Sequence, residues 1–302
     1  MKIVYLQDDF EPHALGGSAA VVSTTAKQLA KEGHEVWVIT TVQEVSQAGS
    51  YVENGLKVER IYASKYEERW KAYKSLCNPV SLKAVKRLLS NIKPDVVHAH
   101  NVHQYLSYAC LKLANQSGAK VFFTAHDVML VSHGKLMGSN HGYKVSGWQQ
   151  LLKYKWRYNP FRNLIIKLYL KYVGKIFAVS QALKDVLNQN EIENIEVIYN
   201  AIDTNDWRVN TEQVERFKTE YGLVGKKVIL FGGRLSSVKG GHQAISAIEK
   251  VIDEQPEAVL LVIGERNTYT ETMLRVARQK GFDKSIIFTG CTNIYKILST
   301  EC

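Results

Sequence analysis

Short apolar runs alternate with helical patterns over most of the chain. The first apolar run extends from Lys2 to Leu6, and the second from Glu35 to Ile39. Between these runs, Val22, Ala26 and Leu29 recur at the spacing of one helical face. A strand, a helix and a second strand in this order predict a βαβ unit with parallel strands and a right-handed crossover.

The same alternation predicts the rest of an N-terminal domain, which we place at residues 1–200. Further strands are predicted at Leu56 to Tyr62, Asp95 to Ala99, Lys120 to Thr124, Lys175 to Val179 and Ile195 to Tyr199. Helices are predicted at Val80 to Ile92 and at Tyr105 to Ser117. Because continuous apolar strands alternate with helices, we expect a parallel sheet that is covered on both faces.

A second α/β pattern starts after residue 226. We interpret residues 201–226 as a linker with one helix, in which Asn210 and Gln213 match a capping box. Strands are then predicted at Lys227 to Phe231, Ala258 to Ile263 and Ser285 to Thr289, with a helix in each interval. Doubly wound sheets usually have two halves. Since residues 227–302 supply one half, we expect this second domain to be incomplete.

The composition fits a soluble globular protein, with 302 residues of which 45% are hydrophobic and 23% charged. The first apolar run is too short for a signal peptide and is followed by Asp8 and Asp9. No apolar stretch is long enough to span a bilayer, so we expect a cytoplasmic protein. Four cysteines without a Cys-x-x-Cys pair indicate neither a zinc site nor a redox motif.

The net charge of +10 indicates acidic partners. Nucleic acid, anionic lipid headgroups and phosphorylated substrates all fit the charge itself. The motifs along the chain distinguish among these three classes of partner better than the net charge does.

Gly16 and Gly17 lie in the loop between the first strand and the first helix. Glycines there let a ligand approach the backbone, and the start of a helix favours an anion. A plain tight turn explains them equally well. The chain has neither a Gly-x-Gly-x-x-Gly fingerprint after this strand nor a Walker A sequence, which argues against a dehydrogenase of the NAD type.

A second glycine-rich segment follows the first strand of the second domain. It reads Gly232-Gly233-Arg234, and Lys239-Gly240-Gly241 comes five residues later. Arginine offers a planar fork to phosphate oxygens and lysine a point charge, while the next helix adds its positive end. These residues predict a diphosphate-binding cradle. A solvated basic loop is the alternative.

Several histidines follow the predicted strands of the first domain. His126 and Asp127 come just after the strand that ends at Thr124, where the imidazole could bind a substrate hydroxyl and the carboxylate could orient it. A capping aspartate beside a structural histidine is the alternative. His98 and His100, with His103, resemble a metal cluster, but no cysteine or carboxylate nearby completes a tetrahedral set.

The stretch from Lys144 to Lys175 is basic and aromatic, and it contains no Asp or Glu. Its candidate contacts with a membrane or an acceptor are Lys153, Lys155, Trp156, Arg157 and Arg162. Basic charge interleaved with aromatic rings suits an anionic membrane surface. Single-stranded nucleic acid would also fit, as would a basic helical face that is packed by its own aromatic residues.

The chain contains no Asp-x-Asp sequence. In metal-dependent sugar-nucleotide sites, carboxylates hold a divalent ion on the diphosphate. We therefore expect neither a metal nor another cofactor. Arg234, Lys239 and a helix N-terminus would neutralise the diphosphate instead.

Seven short stretches of the sequence together resemble one enzyme family. They read P-H-A-L-G-G-S and L-A-K-E-G-H-E-V-W-V-I-T within residues 12–40, H-A-H at 98–100, T-A-H-D at 124–127, V-S at 179–180, I-Y-N-A-I-D at 198–203 and G-R-L-S-S-V-K-G at 233–240. Their order and spacing are similar to those of retaining glycosyltransferases of family 4. The resemblance covers essentially residues 1–290.

The resemblance implies a GT-B-like α/β fold, in which two Rossmann-like parallel-sheet domains face each other across a cleft. It implies that Gly233, Arg234 and Lys239 bind the diphosphate of a nucleotide-sugar donor, and that His126 is the catalytic contact to the transferred sugar. Gly16 and Gly17 would line the cleft. The configuration of the sugar would be retained.

The resemblance also implies that the acceptor is bound mainly by the first domain. An envelope, capsular or lipopolysaccharide-type acceptor, lipid-linked or polysaccharide, would suit the basic stretch. The protein could then be peripheral on the inner face of the cytoplasmic membrane, and we expect no nucleic-acid partner.

Two features depart from the family pattern. Gly264-Glu265-Arg266 stands where many members have Gly-x-Gly. The family's pair of glutamates separated by seven residues lies late in the second domain, so we expect it beyond Cys302 and count it as missing from this chain. We therefore also consider a truncated, inactive remnant that only binds an acceptor or a membrane.

Overall fold

The computed structural model describes residues 1–12, 16–134, 142–204, 210–233 and 235–290, and all side chains among them except that of Trp156. The chain forms two compact units, Met1–Ile202 and Asp203–Cys302. Each unit has its own sheet and its own core.

The sheet of the first unit has eight strands in the order β3-β4-β2-β1-β5-β6-β7-β8. They are β1 Lys2–Leu6, β2 Glu35–Val42, β3 Gly49–Glu53, β4 Leu56–Tyr62, β5 Val96–Ala99, β6 Lys120–Ala125, β7 Lys175–Ala178 and β8 Ile195–Val197. β3 is antiparallel to β4, and the other pairs of neighbours are parallel, as the βαβ pattern predicts.

The helices of the first unit cover both faces of this sheet. They are α1 Gly17–Lys31, α2 Lys71–Lys74, α3 Pro79–Ile92, α4 Cys110–Gln116, α5 Gly147–Tyr154, α6 Arg162–Leu170 and α7 Gln181–Gln189. Because side chains alternate along a strand, Val4 and Leu6 pack in one core cluster and Ile3 and Tyr5 in the other. Short 3-10 helices lie at Val45–Gln47, Glu68–Trp70 and Lys155–Arg157.

Two elements of the first unit differ from the expectation. β3 was not predicted because most of it is exposed on a sheet edge, although Asn54 and Gly55, with φ of 51° and 79°, form the two-residue hairpin signal. The predicted helix from Tyr105 begins only at Cys110. The backbone N–H groups of Tyr105 and its neighbours instead bind a carboxylate, which is described below.

The second unit has a parallel sheet in the order β11-β10-β9. Its elements are α8 Thr211–Glu220, β9 Lys227–Gly232, α9 Gly241–Glu254, β10 Ala258–Ile263, α10 Thr268–Gln279 and β11 Ile286–Phe288, with 3-10 helices at Ser237–Lys239 and Asp283–Ser285. Phe217 of α8 packs with Val259 and Leu261 of β10. The helix that we assigned to a linker region is therefore part of the core of this unit.

Candidate functional site

Four histidine and threonine side chains meet where β5 and β6 end. The two strands are parallel neighbours, so the residues that follow them come together at one edge of the sheet. His98 Nε2 lies 2.8 Å from Thr124 Oγ1, and His100 Nδ1 lies 2.8 Å from His126 Nε2. The rings of His100 and His126 are stacked, with centroids 5.1 Å apart. The structure thus places the predicted His126 at the outer end of a buried histidine cluster.

The bond between His100 and His126 constrains the proton on each ring. His100 Nε2 is buried and has no hydrogen-bond partner among the described residues. Buried N–H groups without an acceptor are especially rare in proteins, so the orphan nitrogen is best assigned as unprotonated. The proton of His100 then lies on Nδ1 and is donated to His126 Nε2. A neutral His126 in turn carries its own proton on Nδ1.

Burial keeps these histidines neutral. It lowers the pKa of His98 to about 4, and it lowers the pKa values of His100 and His126 as well. The neighbouring rings lower the pKa of His100 further, because two adjacent imidazolium ions would repel each other. The cluster therefore acts through hydrogen bonds of neutral rings rather than through positive charge.

Acid is expected to destabilise the first unit below pH 6.5. The pKa of His98 and that of His133 are each lowered to about 4, both mainly by burial. From pH 6.5 down to about 4 the unfolded chain binds protons that these folded histidines do not. The free energy of unfolding should therefore fall by up to about 1.4 kcal/mol per pH unit for His98, and by less for His133, because solvent screens its partly exposed ring. Urea unfolding at pH 7.5, 6 and 5 measures this slope.

The titration of Asp8 has the opposite effect on the free energy of unfolding, because it increases stability as the pH falls from 7 to about 4. Burial raises its pKa to about 7, so the folded form takes up a proton before the unfolded form does as the pH falls from 7 to about 4. The two lowered histidines outnumber it, and a net loss of stability remains. A His98→Asn variant should show a shallower slope, and an unfolding free energy independent of pH would contradict the interpretation.

Asp8 anchors the loop between β5 and α4. Its carboxylate accepts backbone N–H groups of Gln104, Tyr105 and Leu106 at 2.6, 2.9 and 2.7 Å. Its side chain is 3% exposed, so water cannot replace these bonds. The residue was not among our candidate site residues, although an acid two residues after a buried strand was a usable signal.

Gln7 and Ser18 connect the same loop to the start of α1. Gln7 Nε2 donates to Ser18 Oγ at 3.1 Å, and Asn101 Nδ2 donates to the same oxygen at 2.7 Å. Gly16 is the N-cap of α1, and no side chain caps this helix. A Cβ on Gly17 would meet nothing within 4 Å. The two glycines thus leave open space at an uncapped helix start, while a role in lining a cleft stays a prediction.

The structure places some cations of the basic stretch on the surface and one of them in the core. Lys153, Lys155 and Arg157 are exposed, whereas the side chain of Trp156 lies outside the described part. Arg162 is 1% exposed, so its prediction as a surface contact is wrong. Its guanidinium donates to the carbonyl of Met129 and to Asn163 Oδ1, so neutral oxygens accept its hydrogen bonds in the core. Such a carbonyl partner leaves no signal in the sequence.

Arg162 has a structural effect on the histidine cluster. The Met129 carbonyl also accepts a hydrogen bond from the Tyr108 hydroxyl at 3.3 Å, and Asn163 Nδ2 donates to the Val131 carbonyl at 2.7 Å. These bonds connect α6 to the loop that follows β6. This loop begins with His126, so the two residues of α6 hold the segment that follows His126.

The glycine-rich segment of the second unit lies between β9 and α9. Gly233 and Gly240 have φ of 120° and 78°, conformations that favour glycine. Lys239 is exposed at the end of a 3-10 helix, and no side chain caps the start of α9. Arg234 lies outside the described residues, so its predicted role is not addressed by the geometry.

Gly241 begins α9 in a confined position. A Cβ on it would lie 2.9 Å from the Ser236 carbonyl oxygen and 3.1 Å from Tyr269 Cε1. The hydroxyl of Tyr269 is buried and has no partner among the residues described. Nothing in the sequence pattern pointed to Tyr269. An uncapped helix, an exposed lysine and tight glycines together form a surface that suits an anion.

A search of the described residues finds no group of three His, Cys, Asp or Glu side chains that could hold a metal ion. Among the helices of the same residues, none is long and apolar enough to cross a membrane.

Two family models match the chain. The model described as Glycosyltransferase Family 4 matches residues 15–206, and that described as Glycosyl transferases group 1 matches residues 213–300. The first match covers most of the first unit, including the histidine cluster. The second includes the glycine-rich segment at the start of α9.

Curated relatives agree with these models. The putative glycosyltransferase YtcC of Bacillus subtilis (strain 168) is 35% identical over 100 residues, which cover 30% of this chain but only 25% of YtcC. The uncharacterized glycosyltransferase MJ1607 of Methanocaldococcus jannaschii is 24% identical over 308 residues, which cover 97% of this chain and 70% of that protein.

Solved structures share the fold. The crystal structure of Anabaena Alr3699/HepE in complex with UDP and glucose has a TM-score of 0.65 and 17% identity, and the match covers 98% of this chain and 71% of that chain. At this identity the likeness shows the fold alone. The expected GT-B-like class, with Rossmann-like parallel-sheet units, is confirmed.

Proposed function

Because the chain belongs to glycosyltransferase family 4, we propose that it transfers a sugar from a nucleotide-sugar donor to an acceptor. The nucleoside diphosphate leaves, and the configuration at the sugar is retained. The observation that carries the proposal is the uncapped start of α9 beside Lys239 and two glycines, in a segment that the second family model matches.

The leaving diphosphate needs positive charge where its own charge develops. The uncapped N-terminus of α9 supplies free N–H groups and the positive end of the helix dipole. Lys239 supplies a full charge two residues before the helix begins. Such prearranged groups stabilise a developing anion without reorganisation during the reaction. Arg234 is proposed as a further phosphate ligand on the strength of its motif.

His126 is proposed to contact the transferred sugar. Its Nε2 is engaged by His100 at 2.8 Å, so Nδ1–H is the donor that remains for a ligand oxygen. Because burial lowers its pKa, the ring stays a neutral donor at neutral pH and adds no charge next to the reacting centre. The ring would position the sugar by a hydrogen bond.

The acceptor is proposed to be an envelope, capsular or lipopolysaccharide-type molecule, lipid-linked or polysaccharide. The exposed cations Lys153, Lys155 and Arg157 support an anionic acceptor or an anionic membrane surface. They belong to the first unit, which would hold the acceptor if the family resemblance extends to this role.

A panel of nucleotide sugars tests the proposal. The purified chain is titrated with UDP-, ADP- and GDP-linked hexoses, and release of the nucleoside diphosphate is followed with candidate acceptors. UDP-glucose is the first donor to test, since the HepE structure holds UDP and glucose. Binding of a nucleotide sugar without turnover would support donor binding but refute sugar transfer by this chain. Absence of both across the panel would overturn the proposal in favour of a protein that only binds an acceptor or a membrane.

Lys239→Ala is expected to weaken donor binding by roughly 10- to 150-fold. Loss of a hydrogen bond from a charged group typically costs about 1.5–3 kcal/mol. Calorimetric titration with the donor found in the panel measures the loss. Lys226→Ala is the matched control, because this exposed lysine lies just before β9, at the opposite end of the strand. Equal affinities of the two variants would remove Lys239 from the site.

A further inference from the structure

A groove on the first unit is bordered by α3, α4 and α6. It consists of two adjoining depressions of about 440 and 350 Å³, which share Lys112 and Tyr169 in their walls. The first also contacts Lys171, and the second contacts Lys83 and Lys86. The residues that line the groove do not include any member of the histidine cluster.

The charged side chains that line the groove are all positive. Lys83, Lys86, Lys112 and Lys171 are all exposed, and none has an ion-pair partner in the part of the chain that the structure describes. The sequences of α3, α4 and α6 contain no Asp or Glu. Four lysines around the two adjoining depressions, without acids in the lining, make a surface complementary to several phosphate groups.

An exposed apolar face adjoins these lysines. Phe161, Leu164 and Leu168 are 65%, 59% and 48% exposed. Their spacing of three and four residues places them on one side of α6 and the residue before it. Leu168 also lines the first depression, so the apolar face and the basic groove are continuous. Large apolar side chains that cluster in this way beside cations mark a binding surface.

We propose that this face docks on an anionic lipid bilayer. The lysines contact headgroup phosphates, and the apolar face of α6 enters the boundary between headgroups and acyl chains. A free phosphate or a nucleotide would satisfy the lysines but would leave Phe161, Leu164 and Leu168 in water. A bilayer satisfies both, because charge attraction and apolar burial act side by side in interfacial helices. The inference does not depend on the proposed sugar transfer.

Vesicle binding tests the proposal without any nucleotide sugar. The full chain is sedimented with vesicles of phosphatidylcholine alone and of phosphatidylcholine with phosphatidylglycerol. Binding is expected only to the anionic vesicles and should weaken as salt is raised. Each lysine near an anionic surface contributes roughly fivefold to partitioning. The triple variant Lys83→Gln, Lys86→Gln, Lys112→Gln should therefore bind about 100-fold more weakly.

A second triple variant separates location from net charge. Lys226→Gln, Lys250→Gln and Lys284→Gln remove the same charge from exposed lysines of the other unit. This variant should bind the anionic vesicles nearly as well as the unmodified chain. Equal losses in the two triple variants, or none in the first, would overturn the proposal.

The apolar contact has its own test. Leu164→Gln with Leu168→Gln should reduce vesicle partitioning by about tenfold or more while the lysines remain. Both side chains are largely exposed, so folding should not depend on them. Titration with inorganic phosphate distinguishes the two sources of the anion. A groove that binds phosphate while the chain ignores anionic vesicles would identify a free-anion site and refute the docking surface.

Discussion

Replacing Asp8 with alanine is expected to lower the free energy of unfolding of the first unit by roughly 3–4 kcal/mol. The buried carboxylate accepts three backbone N–H groups, from Gln104, Tyr105 and Leu106. Alanine would leave these groups without an acceptor in a place where water does not reach, and each unsatisfied donor costs about 1–3 kcal/mol. Urea unfolding followed by circular dichroism measures the change.

Two further variants show whether the hydrogen bonds are the cause. Asp8→Asn retains the shape and one acceptor oxygen, but its amide group would face either the N–H of Gln104 or those of Tyr105 and Leu106, so part of the loss should remain. Asp9→Ala changes the exposed neighbour, whose carboxylate accepts one bond, from Gln7 Nε2. It should cost less than about 1 kcal/mol. If Asp8→Ala were equally mild, the loop would not depend on this anchor.

Replacing His100 with leucine is expected to lower kcat by roughly 10- to 100-fold while the KM for the donor changes little. In the structure His100 touches His126 rather than open surface, so we expect it to act by positioning the ring of His126. Without its Nδ1–H, the ring of His126 can rotate or change tautomer, and the proposed donation from Nδ1 to the sugar is lost. His126→Ala should lower kcat at least as much.

Rescue by asparagine separates positioning from packing. The side-chain N–H of asparagine can occupy nearly the position of Nδ1–H, so His100→Asn should recover most of the kcat that His100→Leu loses. His98→Asn is the control, because His98 bonds Thr124 rather than His126. The tautomer of His126 can be read from its ¹⁵N chemical shifts. If His100→Asn and His100→Leu were equally impaired, the bond would have no positioning role.

The pattern of apolar residues predicted most of the secondary structure. Buried parallel strands such as β1 and β6 are marked by their own composition, because both of their faces are apolar. The exposed edge strand β3 lacks this signature. The start of α4 was predicted five residues too early because its position depends on Asp8, which is 102 residues before Cys110 in the chain. Hydrophobic periodicity reflects contacts between residues that are close in sequence, so it does not reveal a partner as distant in the chain as Asp8.

Some residues of the candidate site could also be predicted from the sequence. His126 and Lys239 follow strands of a parallel sheet, and this position by itself marks a residue as near a ligand-binding edge. Arg162 shows the limit of such reasoning. A cation among aromatic residues was interpreted as surface, but the fold buries it against the Met129 carbonyl. Tyr269 was missed because its proximity to Gly241 arises only when α9 and α10 pack together.

The sequence by itself determined the family, the α/β class and the order of the strands along the chain. These properties are local or follow from motif order, and hydrophobic periodicity and glycine placement encode them directly. Only the tertiary structure decided which histidines touch, which carboxylate anchors a loop and which lysines share a groove. Those relations join residues far apart in the chain, and their energies depend on burial, which exists only once the sheets and helices have packed.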